Sequence, residues 1–317
     1  MQILHTKSEL QAWSDAERKA GRRVALVPTM GALHRGHTAL VGIAREHADS
    51  VVLSIFVNPT QFNDRRDFEG YPRTLETDLA ACSAARVDVV FAPSATEMYP
   101  EGAASWVDVE GLSEPLCGAN RPGHFRGVTT VVTKLLLAAR PDVAVFGEKD
   151  YQQLAVIRRL TTDLGFGIEI VGAPTVRELD GLALSSRNVR LGPQARRQAL
   201  CIVESLELAA RLIADGEDHA ATILEAVRKT LARASQARID YAELRDPVTL
   251  AAVSGWIEGP VLLAIALQFE PDPDGRGTAV RLIDNRVIGR RTTAGASLSC
   301  PSSCPPGRNP NPDRKPR

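Results

Sequence analysis

The sequence has no CxxC pair and no clustered cysteines: Cys82, Cys117, Cys201, Cys300 and Cys304 are odd in number and scattered along the chain. Such spacing indicates neither a disulfide framework nor a zinc site. No apolar run approaches the roughly 18 to 20 residues that span a bilayer. The longest strongly apolar run, Val261–Leu267, has the length of a buried strand. The N-terminus, MQILHTKSEL, lacks a positively charged region followed by an apolar stretch, so no leader is expected and the reading is a soluble, cytoplasmic protein. Net charge is missing as well. Lysine plus arginine equal aspartate plus glutamate at 38 each, which leaves no cationic field of the kind a nucleic-acid binder shows. Lysine is scarce, at six residues, so a lysine inside a motif stands out. Neither GxxxxGKS/T nor a complete GxGxxG occurs, which removes the P-loop and the dinucleotide fingerprint.

What the sequence does have is length for two domains, 317 residues, and a regular alternation of apolar runs with helical patterns. Val24–Val27, Val51–Val57, Val87–Phe91 and Val143–Phe146 read as strands. Thr38–Ala48, Leu75–Ala85, Val128–Ala139 and Tyr151–Leu164 read as helices between them. Continuous apolar strands separated by helices predict an α/β fold with a doubly wound parallel sheet. From Pro193 the texture changes to two alanine- and arginine-rich helices, Pro193–Ala214 and Ala220–Ala234. Three candidate strands follow, Asp240–Leu244, Val261–Phe269 and Thr278–Asp284, with a turn at 271–275. The expected organisation is a nucleotide-binding domain at 1–177, a smaller C-terminal α+β domain at 178–290, and a disordered proline- and serine-rich tail at 291–317.

Ligands of doubly wound folds sit beyond the carboxyl ends of the strands. Four polar loops occupy such places. The first is Pro28–His37, PTMGALHRGH, where a helix start near Gly36 offers free N–H groups to phosphate and His34 and His37 add imidazole donors. The HExxH pattern of a zinc helix is absent there. The second is Phe56–Phe62, FVNPTQF, in which Asn58 and Gln61 are neutral amides suited to hydroxyls and a carboxylate. The third, Val145–Leu154, VFGEKDYQQL, places Lys149 where it can neutralise developing charge, with Asp150 as a cap or a ligand and Gln153 one turn on. The fourth, Pro174–Asn188, contains Ser185, Ser186 and Arg187, a plausible clamp for pyrophosphate oxygens.

Together with Asn120–Leu136, NRPGHFRGVTTVVTKLL, these blocks resemble the pantothenate synthetase (pantoate–β-alanine ligase) family over about Pro28–Asn188. Arg281–Asn285, RLIDN, is similar to the family's C-terminal strand. The His-x-Gly-His element also resembles the HIGH motif of a wider, Rossmann-like nucleotidyl-transferase group that includes class I aminoacyl-tRNA synthetases. The resemblance implies a ligase that activates pantoate with ATP and Mg²⁺ as pantoyl adenylate, then transfers the pantoyl group to β-alanine, as a homodimer. It implies that Met30, Gly31, Ala32, Leu33, His34, Arg35, Gly36 and His37 form the ATP loop, with His34 on the phosphates and His37 as proton donor. Gly147, Glu148, Lys149 and Asp150 match the adenosine and α-phosphate segment, Val176 the adenine contact, and Leu184, Ser185, Ser186 and Arg187 the loop over the β- and γ-phosphates. Gln61 and Gln153 match the pantoate amides, supported by Asn58 and Arg121. Leu184 departs from the family's usual methionine, a nearly isosteric change. No Mg²⁺ ligand is assigned; Asp78 is a weak candidate. The alternatives left open are another HIGH-motif nucleotidylyltransferase or carboxylate-adenylating enzyme, and a nucleotide-binding regulator.

Overall fold

Val24 and Leu26 pack to one side of their strand and Ala25 and Val27 to the other, and all four are completely buried. A strand without a polar side must be covered on both faces, which in a parallel sheet is done by crossover helices. The computed structural model describes residues 1–63 and 65–289, and in it this strand is β2 (Val24–Thr29). It lies inside a six-stranded parallel sheet with β1 (Gln2–Leu4), β3 (Ser50–Ile55), β4 (Val89–Phe91), β5 (Val143–Gly147) and β6 (Glu169–Ala173). The order across the sheet is β1-β4-β3-β2-β5-β6. Helices Lys7–Lys19, His124–Ala139 and Tyr151–Asp163 supply the core on one face; Arg35–His47 and Leu75–Ala84 supply it on the other. Among the described residues no helix is long and apolar enough to cross a membrane.

The order reverses between β2 and β5. These neighbours pair only at Ala25↔Val143 and Leu26↔Ala144, whereas β2 and β3 pair through all six of their residues. Beyond Leu26 and Ala144 the two strand ends are no longer laddered together, so a crevice opens at the carboxyl edge, at the switch point where ligands of such sheets bind.

A second sheet is an antiparallel meander of β7 (Ala237–Arg245), β8 (Val261–Phe269) and β9 (Val280–Ile288). One set of alternate β8 side chains, Val261, Leu263, Ile265, Leu267 and Phe269, packs with helices Cys201–Ala214 and Ala220–Leu231. The other set, Leu262, Ala264 and Ala266, packs with Leu116, Ala155 and Tyr241 on the side of the large sheet. Both faces of β8 are therefore covered, which explains its unbroken apolar run.

The doubly wound sheet and the smaller α+β unit are as the sequence predicts, with differences of detail. Edge strands β1 and β6 were not expected. The helix expected over Pro193–Ala214 is two helices, Pro193–Gln198 and Cys201–Ala214, because Leu200 and Ile202 bond to residues three back rather than four and the axis breaks between them. The expected tight turn at 271–275 is part of a ten-residue connection. Buried Asp272 turns inward and accepts hydrogen bonds from the backbone of Gln194 and Ala195, capping that first helix. The tail at 291–317, with Cys300 and Cys304, lies outside the described residues.

The segment after β6 is fastened to β9 by a bidentate ion pair, Arg177 Nη1 to Asp284 Oδ2 at 2.6 Å and Nη2 to Oδ1 at 3.1 Å; the Asp284 side chain is 1% exposed. Taking away one partner of such a pair strands a buried charge. Arg177→Met is therefore expected to lower unfolding stability by about 3 kcal/mol, measured by denaturant titration, with no effect predicted for a neutral change at exposed Arg238.

Candidate active site

The loop between β2 and the helix Arg35–His47 must turn sharply, and it does so through left-handed backbone at Gly31 (φ +81°) and Ala32 (φ +50°). Buried Asp78 holds the turn: Oδ2 accepts from Ala32 N at 2.9 Å and Oδ1 from Leu33 N at 2.7 Å. A Cβ at position 31 would lie 2.9 Å from that same Oδ2, so glycine is required there. Asp78, the weak Mg²⁺ candidate, thus has both oxygens engaged by the chain.

His34 is the residue that caps the helix. Its Nδ1 accepts from Gly36 N at 3.1 Å, and His37 Nδ1 accepts from His34 N at 3.3 Å, an arrangement with the geometry of a capping box. The rings stack with centroids 4.1 Å apart. Because each Nδ1 receives a backbone N–H, each neutral ring carries its proton on Nε2 and can donate outward. A Cβ at Gly36 would meet the His34 ring at 2.8 Å. Burial, reinforced by Lys149, holds the His34 imidazole below its usual range. Burial, with the His34 ring and Lys149 adding to it, pushes His37 down to about 3. In the free protein both rings are neutral donors; a bound anion would offset the burial and favour the imidazolium.

Lys149 comes from the end of β5, across the crevice. It sits on a short 3₁₀ turn, Glu148–Asp150, whose carbonyls at Glu148 and Lys149 accept from the side-chain amide of Asn285 on β9, at 3.0 and 2.8 Å. Its Nζ is 3.6 Å from Asp150 Oδ2. Desolvation opposes ionisation of Asp150, yet Lys149 and Arg187 hold its carboxyl below the usual carboxylate range.

Val176 accepts from Leu184 N at 2.9 Å, closing the bridge Arg177↔Ala183, and Asn188 ties the other end of this loop to Glu178 and the Ala183 carbonyl. Ser185, Ser186 and Arg187 therefore stand on an anchored arch. Arg187 faces Asp67 at 3.6 Å across the opening, and Ser186 and Tyr71 line the same cavity.

Asn58 is fully buried and spends its amide on structure: Nδ2 donates to Gln61 Oε1 and the Gly127 carbonyl, and Oδ1 accepts from Thr60 and Tyr99 hydroxyls. It orients Gln61, whose Nε2 reaches Met30 Sδ at 3.0 Å. Gly127 must be glycine because a Cβ would lie 2.4 Å from the Thr60 carbonyl oxygen. The Gln61 carbonyl accepts from Arg121 Nη2 at 2.9 Å and from His124 Nδ1 at 2.8 Å. His124 Nε2 in turn receives Arg121 Nη1 at 3.3 Å, so its tautomer is fixed with the proton on Nδ1. Burial, together with Arg121, pushes His124 down to about 4.

Met30, His34, Gly36, His37, Asn58, Gln61, Arg121, Gly147, Lys149, Asp150, Gln153, Val176, Leu184, Ser185, Ser186 and Arg187 all line one cavity of about 270 Å³. Of the remaining candidates, Gly31, Ala32, Leu33, Arg35 and Glu148 shape the turns beside it. The sequence reading passed over His124, Asp67, Tyr71 and Asn285. His124 lay inside a quoted block but its partner, the Gln61 carbonyl, is 63 residues away; Asn285 lay in RLIDN without a visible role.

A family model described as Pantoate-beta-alanine ligase matches residues 2–287. The chain is 53% identical over 288 residues to a pantothenate synthetase of Solidesulfovibrio magneticus, covering 90% of this chain and 98% of that protein. It is 51% identical to one of Geobacter sulfurreducens, covering 91% and 99%. Among solved structures, a pantothenate synthetase from Thermus thermophilus aligns with TM-score 0.82 at 46% identity, covering 90% of this chain and 99% of that one. A pantoate-beta-alanine ligase from Francisella tularensis, in complex with β,γ-ATP and β-alanine, aligns with TM-score 0.70 at 32% identity, covering 90% and 97%.

A histidine whose folded pKa is depressed takes up its proton more readily once unfolded, so its contribution to stability falls as pH drops from the unfolded value near 6.5 toward the folded value. For His124 the loss between pH 7 and pH 5 amounts to about 2 kcal/mol. In His124→Gln, whose side chain does not titrate, the decline in stability over that interval should shrink by about this amount, read from denaturant unfolding at the two pH values.

Proposed function

The chain belongs to the pantoate-beta-alanine ligase family, and from that premise we infer that it condenses pantoate with β-alanine, using ATP, to give pantothenate, AMP and pyrophosphate. The observation that carries the reading is the meeting, at the β2/β5 crevice, of two imidazole donors, an ammonium and a guanidinium beside the amides of Gln61 and Gln153.

In this reading the triphosphate lies along the N-terminus of the helix Arg35–His47, where free N–H groups and the helix dipole favour anions. Adenosine points toward Gly147 and Val176, and pantoate lies between Gln61 and Gln153. A pantoate carboxylate oxygen attacks the α-phosphorus, and the bond to the bridging oxygen of pyrophosphate breaks. Lys149, the His34 and His37 Nε2–H groups, the Ser185 and Ser186 hydroxyls and Arg187 take up the charge of the departing pyrophosphate. The work is positioning and neutralisation rather than covalent chemistry by the enzyme. The β-alanine nitrogen then attacks the carbonyl carbon of pantoyl adenylate. The C–N bond forms, the C–O bond to AMP breaks, AMP leaves with the electron pair, and the amine's proton passes to solvent.

Mg²⁺ fits as an ion carried on the nucleotide. Among the described residues no group of three His, Cys, Asp or Glu side chains could hold a metal. Mg²⁺ commonly relies on substrate phosphates with one or two carboxylates, and half-exposed Asp150 is the carboxylate that would hold it, where the ion would neutralise phosphate charge. A homodimer and a cytoplasmic setting belong to the same proposal and rest on the family resemblance alone.

Two measurements test the reading. Labelled pyrophosphate should enter ATP only when pantoate is present; exchange driven by an amino acid in its place would instead favour another carboxylate-adenylating enzyme. Lys149→Ala and His37→Ala should each lower kcat by about 10²-fold, the scale of losing a preorganised transition-state donor. Turnover close to that of the unaltered enzyme in both would take these residues out of the mechanism.

A further inference from the structure

Arg187 begins the 3₁₀ turn Asn188–Arg190 and Arg190 ends it, and a carboxylate of the same chain lies between the two guanidiniums. Asp67 Oδ2 is 3.6 Å from Arg187 Nη2, and Asp67 Oδ1 is 3.7 Å from Arg190 Nη1. Neither distance is that of a hydrogen bond, so the bridge is one of charge alone. All three side chains are 35–42% exposed, and ion pairs in that setting hold weakly and exchange readily. The other acidic neighbour of Arg187, Asp150, is paired with Lys149.

The groups are nonetheless firmly presented to one another. Arg190 Nε donates to Thr278 Oγ1 at 3.1 Å and Nη2 to the Ala279 carbonyl at 3.2 Å, which leaves Nη1 for Asp67. Asp67 is carried by the helix Arg65–Glu69, whose Phe68 ring packs edge-on against Phe62, the residue after Gln61, and lies beneath the Arg73 guanidinium. Packing that involves neither arginine thus sets the carboxylate in place. Asp67, Arg187 and Arg190 line, with Ser185 and Ser186, a larger lobe of about 1070 Å³ that adjoins the crevice.

We propose that Asp67 is an internal counter-ion that competes with the β- and γ-phosphates for Arg187, with Arg190 as the second cation of the exchange. The inference rests on the placing of the phosphates on the arch in the reading above, and it adds what happens as they arrive and leave. Without nucleotide, Asp67 offsets the repulsion between two like charges. A triphosphate brings more charge and can approach to hydrogen-bond distance, so it displaces the carboxylate, at a cost in nucleotide affinity. Once the bond to the α-phosphorus has broken, the return of Asp67 to the arginines helps expel pyrophosphate. No covalent bond changes in this exchange; one anion replaces another on the same cations.

Asp67→Asn keeps the shape and removes the charge. Titration calorimetry of the nucleotide-free enzyme with inorganic pyrophosphate and Mg²⁺ should show binding at least about fivefold tighter in this variant, the scale of freeing two exposed ion pairs, while the affinity for AMP, which has neither a β- nor a γ-phosphate, changes by less than about twofold. Inhibition of turnover by added pyrophosphate should strengthen by a similar factor. Damage to the fold weakens binding, so a gain of affinity separates the exchange from a structural role. Arg190→Gln should bind pyrophosphate more weakly, and adding Asp67→Asn to it should tighten binding by less than in the parent. Unchanged or weaker pyrophosphate binding in Asp67→Asn, an equal tightening toward AMP, or an undiminished gain in the Arg190→Gln background overturns the proposal. Arg187→Gln that binds pyrophosphate as tightly as the unaltered enzyme would instead remove the phosphates from the arch, and with them the reading on which the exchange rests.

Discussion

The carboxylate of Asp78 accepts two consecutive backbone N–H groups, and the geometry of the crevice depends on that contact. Without it, the N–H groups of Ala32 and Leu33 at the left-handed turn lose their acceptors. With it, His34 arrives at the cap of the following helix, and His37 stacks on His34 with both Nδ1 atoms already spoken for. The positions of two donors are thus set by a residue on a neighbouring helix of the same face, more than forty positions away. The same logic recurs across the crevice: Asn58 orients Gln61, and Asn285 holds the turn that carries Lys149. Asp78, Asn58 and Asn285 are thus the polar side chains that place the histidines, Gln61 and the Lys149 turn.

This division explains what was legible in the sequence. Loops at strand ends were readable because they combine glycine, polar residues and position after an apolar run, and four of them do meet at the switch point. The buried supports were not readable as such. Asp78 and Asn58 look like ordinary polar residues until the fold brings their backbone partners to them, and Asp78 seemed as suited to a cation as to two amides. His124 and Arg121 lie in a helix start and a preceding turn, and nothing in their local pattern reveals that both converge on one carbonyl, that of Gln61.

At the level of the fold, long apolar strands and amphipathic helices announced themselves. What escaped was short or locally ambiguous. β1 has three residues and β6 contains a glycine, so neither gives a sustained period-two pattern. The helix Arg35–His47 begins earlier than its apolar periodicity because a histidine, an uncommon cap, starts it. The break before Cys201 carries no proline or glycine; it follows from how Leu200 and Ile202 bond within the tertiary structure.

Asn285 belongs to the outermost strand of the small sheet, yet its amide grips two carbonyls of the turn that presents Lys149. That grip makes the C-terminal unit a lever on the reaction centre. The seating of the small sheet thus fixes the turn that presents the ammonium group, so a change in β9 would be felt at Lys149 although Asn285 itself touches only backbone there.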